Sequence, residues 1–323
     1  MDKVRIVAAL VVMMGHLLHT KSSSSGFLIG SHLEKILSSG SFAVVVFFGL
    51  SGIALRFQTD KYGISIRWLA ARLIRLMPVY LVTLIPPIIG CYLIGVKIEY
   101  PAFGFLVATL GLQAIANNLY IPPVNGPLWS LSVEIYLSAS LLLLGRAKAF
   151  KAFFLLATLF VMNWVFPGNP ILQGLPIFYF GYLLAGMNLN RRKNLVLKST
   201  TILIPIFILI LSPTLVQGKF SLLNDFIICS ILASYIMIWC QFFSSADESL
   251  FARISQRTYS LYAVHAPLVL FIDKFLFDAN ESTSALQITV SLIVIFVATE
   301  MLFRFVEMPS IVNSRKYLSR SEC

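Results

Sequence analysis

The side chains in this chain that could carry chemistry are few, and most of them stand inside apolar stretches. Arg5 and His16 lie eleven residues apart in the first such stretch. Eleven residues is close to three helical turns, so both side chains share a face, about 16 Å apart along the axis. Glu134 lies in Trp129-Ser130-Leu131-Ser132-Val133-Glu134. Counted from the outer ends of their segments, His16 and Glu134 sit at the same depth. A buried carboxylate needs a partner, and one that orients an imidazole makes a good general base. The plain alternatives are a purely structural Glu–His pair and, for Arg5, a snorkelling marker of topology.

His265, in Tyr259-Ser260-Leu261-Tyr262-Ala263-Val264-His265, matches Glu300 in depth in the same way. With Tyr262 one turn earlier, they form either a second polar site or a helix-packing bond; packing is the simpler account. Arg67, Arg72 and Arg75 gather where a basic segment meets an apolar one. Arg72 and Arg75, at i and i+3, share a face. They suit either lipid headgroups or the phosphates of an anionic donor. Ser51, in Phe47-Phe48-Gly49-Leu50-Ser51-Gly52, lacks the G-x-S-x-G spacing of a nucleophile elbow. Small residues for close helix packing explain it more simply. His19 reads as interfacial and His32 as a loop residue. The four cysteines, Cys91, Cys229, Cys240 and Cys323, show neither metal spacing nor a disulfide framework.

The composition says what must surround these residues. Of 323 residues, 58% are hydrophobic and only 12% charged, against roughly 25% charged in soluble domains. A chain of this length could not bury so much apolar surface internally, so lipid covers it. The net charge of +11 does not call for nucleic acid, because the basic residues fall between apolar spans, as the positive-inside rule expects. The basic, apolar start resembles a signal peptide. No small-residue cleavage site follows, so it is read as a retained first span.

Spanning helices need about 20 mostly apolar residues. The sequence predicts ten, near 4–20, 36–57, 76–96, 129–145, 152–167, 171–189, 199–217, 221–243, 259–277 and 286–306. Basic clusters at 56–75, 146–151, 191–198, 253–257 and 315–320 mark the cytoplasmic side and put both termini there. The exceptions are Lys21, Lys35, Lys97, Lys219 and Lys274. The spans near 76 and 129 run out and back in, so the apolar stretch 102–119 between them must be re-entrant or lie at the outer surface. The loop after it, with Asn117, Asn118, Pro122, Pro123, Asn125, Gly126 and Pro127, is too rich in breakers to span. The expected fold is therefore all-α and polytopic, a single membrane-embedded domain over 1–323.

Taken together, the polar blocks resemble the membrane acyltransferase-3 family. The likeness rests on Asp2-x-x-Arg5 with ten residues to His16, and on Phe47-Phe48-x-x-Ser51-Gly52. Arg67, Arg72 and Arg75 lead to Pro78 and Tyr80; Pro127-Leu128-Trp129-Ser130-Leu131-Ser132-Val133-Glu134 follows. Ser260-Leu261-Tyr262-x-x-His265 and Glu307-x-Pro309 complete it. Any one block is weak; six in register are specific. The resemblance implies ten spanning helices in a bacterial cytoplasmic (inner) membrane. It implies an acyl-CoA co-substrate, most often acetyl-CoA, with no other cofactor and no metal. The acyl group would go to a hydroxyl of a surface or lipid-linked glycan. Arg5 and His16 match the family's Arg-x10-His motif, in which the histidine is the presumed catalytic residue. The short type lacking a hydrolase-like domain after the last span is expected.

On this basis the donor phosphates rest against Arg72, Arg75 and Arg5, and the thioester reaches His16. There His16 either deprotonates the sugar hydroxyl or is itself transiently acylated. Glu134 fixes its tautomer. A transporter or flippase for a lipid-linked sugar or small acid is the rival. It predicts inverted repeats and matched broken helices, neither of which is clear. A structural or receptor-like membrane protein leaves the matched polar depths unexplained.

Overall fold

The computed structural model describes residues 2–19, 40–93, 95, 100–115, 120–144, 169–186, 249–275 and 285–319. The described residues form helices and turns without a strand. The helices are α1 (Asp2–His19), α2 (Gly40–Tyr62), α3 (Ile66–Leu93), α4 (Ala102–Thr109) and α5 (Leu128–Leu144), followed by α6 (Pro170–Gly186), α7 (Ser249–Ser255), α8 (Thr258–Phe275) and α9 (Ala285–Leu302). A π-helical turn, Phe303–Glu307, joins α9 to α10 (Met308–Ser319). The expected spans near 152–167, 199–217 and 221–243, together with His32, lie outside the described residues.

Among the described residues, three helical stretches are long and apolar enough to cross a membrane: Ala43–Tyr62, Ile66–Leu93 and Leu286–Ser319. Leu128–Leu143, Pro170–Gly186 and Thr258–Ile272 are shorter apolar helices. Large apolar side chains face outward, among them Leu286, Ile293, Val297 and Met301 along one face of α9. Contiguous exposed apolar surface of this kind belongs against lipid, which fits a membrane protein.

Two helices differ from expectation. Nothing between Ser65 and Pro78 breaks a helix, so α3 begins at Ile66 rather than near 76. Arg67, Arg72 and Arg75 are therefore on the helix itself. The last helix also continues past 306 to Ser319. Pro309 lacks the N–H that an α-helix would use at that point. The wider π turn, in which the Met308 N–H bonds the Phe303 carbonyl, carries the helix across it.

Helices α2 and α6 cross with their backbones touching. A Cβ on Gly52 would lie 2.0 Å from the Phe178 carbonyl oxygen, and one on Gly181 would lie 2.2 Å from that of Gly49. Glycine is required at both places, and this crossing fixes the turn of α2 that carries Ser51. Within the apolar stretch 102–119, the described helix is too short to span. Helix α4 has eight residues, about 12 Å at 1.5 Å per residue. Its end is held by the Tyr80 hydroxyl, which donates to the Ala108 carbonyl at 2.6 Å and to Gln113 Oε1 at 2.8 Å.

The following loop enters the bundle. The side-chain amide of Asn125, fully buried, donates to the Thr83 carbonyl at 3.0 Å and to the Ala263 carbonyl at 2.9 Å. In an uninterrupted helix those carbonyls would accept from residues 87 and 267. Both are prolines, inside α3 and α8, and have no N–H to give. One amide thus satisfies the two acceptors that two prolines leave open, and it pins the start of α5 to the middle of α3 and α8.

Candidate active site

That anchor decides where Glu134 sits. Depth counted along the sequence assumes that α5 begins at the outer surface. It begins instead beside Thr83 and Ala263, partway along their helices, so Glu134 is carried further inward than its distance from Leu128 suggests. Ser130 near the start of α5 meets the Tyr262 hydroxyl at 2.6 Å. One turn on, Glu134 forms a short ion pair with Arg72 Nη2 and accepts from Ser51 Oγ at 2.9 Å. Arg72 also donates to Ser51 Oγ at 3.1 Å and, through Nε, to Ser138 Oγ at 2.8 Å. Arg72 is 7% exposed. Its desolvation is offset because every bond it makes goes to a fixed acceptor.

The expected pairing of Glu134 with His16 is therefore corrected: Arg72 and Ser51 hold the carboxylate. The His16 ring lies against His265, edge-on, with centroids 5.1 Å apart. Its tautomer is set by the backbone, since Nδ1 donates to the Val12 carbonyl at 3.0 Å. In the neutral ring this leaves the lone pair on Nε2. The orienting role expected of Glu134 thus falls to a carbonyl one turn back on the same helix. His265 is fully buried; its Nδ1 lies 3.2 Å from the Leu261 carbonyl, and its Nε2 has no hydrogen-bond partner.

The expected His265–Glu300 pair is corrected as well. Glu300 accepts from Arg257 Nε and Arg304 Nε, each at 2.5 Å. All three side chains are at least one-third exposed, so this cluster stands apart from the buried histidines. Arg67 is also used structurally, donating to the Tyr317 carbonyl at 3.2 and 2.7 Å.

A cavity of about 960 Å³, its open mouth included, adjoins the Glu134 network. Ser51, Arg72 and Glu134 line its wall together with Arg5, Arg75 and Glu307. Arg5 and Arg75 make no hydrogen bond or ion pair among the described residues. Longer-range attraction links Arg5 to Asp2, Glu134 and Glu307, and Arg75 to Glu307. Phe47 and Tyr262 are also on the wall, with rings 5.6 Å apart. Tyr262 in turn meets His265 at 5.7 Å. Tyr262 thus packs between the cavity wall and His265 of the imidazole pair.

Four residues join the network without having been singled out from sequence. Ser130 and Ser138 look like ordinary small helix residues, and Asn125 looks like part of a breaker-rich loop. Glu307 stands in the Glu307-x-Pro309 block and accepts from Ser260 Oγ at 2.6 Å. Among the described residues no group of acidic, His and Cys side chains could hold a metal ion.

No curated protein and no solved structure shows a match to the chain. A family model does: the acyltransferase-3 model, described as an acyltransferase domain, matches residues 1–303. Nearly the whole chain, including Arg5, Ser51, Arg72, Arg75 and Glu134 of the cavity, falls within that match, and the chain belongs to the acyltransferase-3 family.

Proposed function

We infer that this acyltransferase moves an acyl group, most often acetyl, from cytoplasmic acyl-CoA to a hydroxyl of a bacterial cell-surface or lipid-linked glycan. The observation that carries this reading is the pair of cations, Arg5 and Arg75, which line one cavity and make no ion pair or hydrogen bond among the described residues. Two such cations suit the diphosphate of a donor. The Arg5-to-His16 spacing, about 16 Å along one helix face, is of the order of an extended pantetheine arm.

The roles divide accordingly. Arg5 and Arg75 hold phosphate. Arg72, Glu134, Ser51 and Ser138 form a rigid neutral network that shapes the middle of the channel. His16, with Nδ1 engaged by Val12, presents Nε2 to take the proton of the sugar hydroxyl as that oxygen attacks the thioester carbonyl; the coenzyme A thiolate leaves. His265 and Tyr262 position the ring. Acylation of His16 itself remains the alternative route to the same products. The rival reading as a transporter or flippase has no observation in its favour here.

The protein is placed in the inner membrane with ten spans and both termini cytoplasmic. Reporters at 190–198 and 278–285 should then label from opposite sides. Mass spectrometry of surface polysaccharide from cells with and without the gene tests the activity. An acetyl-sized mass increment present only with the gene is expected. Identical glycans from both strains, with the protein in the membrane, would overturn the reading.

A further inference from the structure

Next to the cavity that holds Glu134 lies a second one of about 890 Å³. It is built where α2 ends, α3 begins and α10 folds back. Gly63, with φ of 74°, closes α2 in a conformation that side chains resist. Ser65 Oγ then accepts from the Trp68 N–H at 3.1 Å and starts α3. The Arg67–Tyr317 bonds tie α10 across the opening. Helix α10 thereby brings Ser314 and Arg315 to face Lys61, Trp68 and Arg75.

The walls of this cavity carry Lys61, Arg72, Arg75 and Arg315 and no carboxylate. Arg72 is neutralised by Glu134. Lys61 contacts the Tyr62 ring at 5.1 Å, neither it nor Arg315 makes an ion pair among the described residues, and Arg75 has only the longer-range attraction of Glu307. Trp68 is buried, and its indole N–H finds no acceptor. Two unpaired cations beside Arg75 and an idle buried donor in one hollow call for an anion with several oxygens and more than one charge. Gln58, Arg72 and Arg75 line both cavities, so a ligand seated here extends directly into the channel.

We propose that Lys61, Arg315 and Trp68 form a subsite for the 3′-phosphate of the donor's adenosine, and so make the protein select acyl-CoA over thioesters that lack this phosphate. The proposal rests on the acyl-CoA reading above and adds to it the residues that recognise the nucleotide end. The charges fit in order: a phosphomonoester at Lys61 and Arg315, the diphosphate at Arg75 and Arg5, and the uncharged arm beyond. The phosphomonoester headgroup of an anionic lipid offers the same chemistry from another source.

The test uses full-length protein in phosphatidylcholine vesicles, with and without phosphatidic acid. Thioester turnover is measured with acetyl-CoA and with acetyl-3′-dephospho-CoA, for the wild type, Lys61→Met and Arg315→Met. The wild type should favour acetyl-CoA by roughly 10- to 150-fold in kcat/KM, the span of a lost charge-assisted bond. Each variant should lose about 10-fold or more with acetyl-CoA and little with the dephospho donor. Equal use of both donors by the wild type overturns the proposal, as does a loss that is the same for both donors. A loss that appears only with phosphatidic acid present assigns the hollow to lipid instead. A wild-type protein that turns over neither donor refutes the acyl-CoA reading itself.

Discussion

Arg72 and Arg75 lie three residues apart on one helix, yet removing them should produce different defects. Arg72 is 7% exposed and bonded to Glu134, Ser51 and Ser138. Arg72→Ala leaves the half-buried Glu134 carboxylate without its bonded counter-ion. Removing one partner of a buried pair costs about 3–5 kcal/mol, a large part of the roughly 5–15 kcal/mol that holds a typical protein folded. Arg75 makes no such bonds, so Arg75→Ala removes no internal partner. If it holds donor phosphate, the loss is about 1.5–3 kcal/mol of binding, or roughly 10- to 150-fold in the KM for acyl-CoA. The assay is a thermal melt in detergent beside a donor titration. Arg72→Ala should melt far below wild type and lose kcat; Arg75→Ala should melt normally and raise KM. Arg72→Ala/Glu134→Leu should regain much of the stability, because no charge is left stranded. A stable Arg72→Ala protein whose only defect is in KM would refute this division, as would a normal KM for Arg75→Ala.

The other predictions concern the frame. Gly181→Leu should prevent accumulation of folded protein, since even its Cβ meets the Gly49 carbonyl oxygen at 2.2 Å; a normal level with a normal melt contradicts the crossing. Asn125→Ala should lower stability by about 1–3 kcal/mol for each carbonyl it abandons. Pro87→Ala should partly rescue it by returning an N–H to Thr83, and failure of that rescue counts against the shared-amide bond. His265→Ala should lower kcat and leave the donor KM unchanged, with the protein still inserted. An unchanged kcat would remove His265 from the positioning of His16.

Helix types and most boundaries were legible because long apolar runs in a lipid-covered chain have one reading. The stretches 4–20 and 259–277 are helical as expected, in α1 and α8, within a few residues at each end. Arg67, Arg72 and Arg75 seemed to precede their span because charge, rather than helix continuity, drew the boundary. Arg5, Arg72, Arg75 and Glu134 line one cavity together with Ser51 and Tyr262, two residues whose sequence context points to helix packing and to a separate pair. Their partners were not legible. Equal depth was inferred by counting from helix ends, and that count fails when a loop such as the one around Asn125 starts a helix inside the bundle. The bonds that cause this run from the Asn125 amide to the Thr83 and Ala263 carbonyls, contacts between distant segments that no local pattern announces. His265 beside His16 was hidden for the same reason, since Glu300 matched its depth but is held by arginines.

The account turns on His16 as the group that moves the proton. The direct measurement is acyl transfer to a glycan acceptor by purified, membrane-reconstituted protein, comparing wild type with His16→Ala at equal levels of folded protein. General-base assistance is worth about 10²–10⁴-fold, so the variant should retain at most about a hundredth of the wild-type kcat, with the KM for acetyl-CoA little changed because Arg5 and Arg75 still hold the donor. A folded His16→Ala protein that acylates the glycan at near wild-type rate would contradict the assignment.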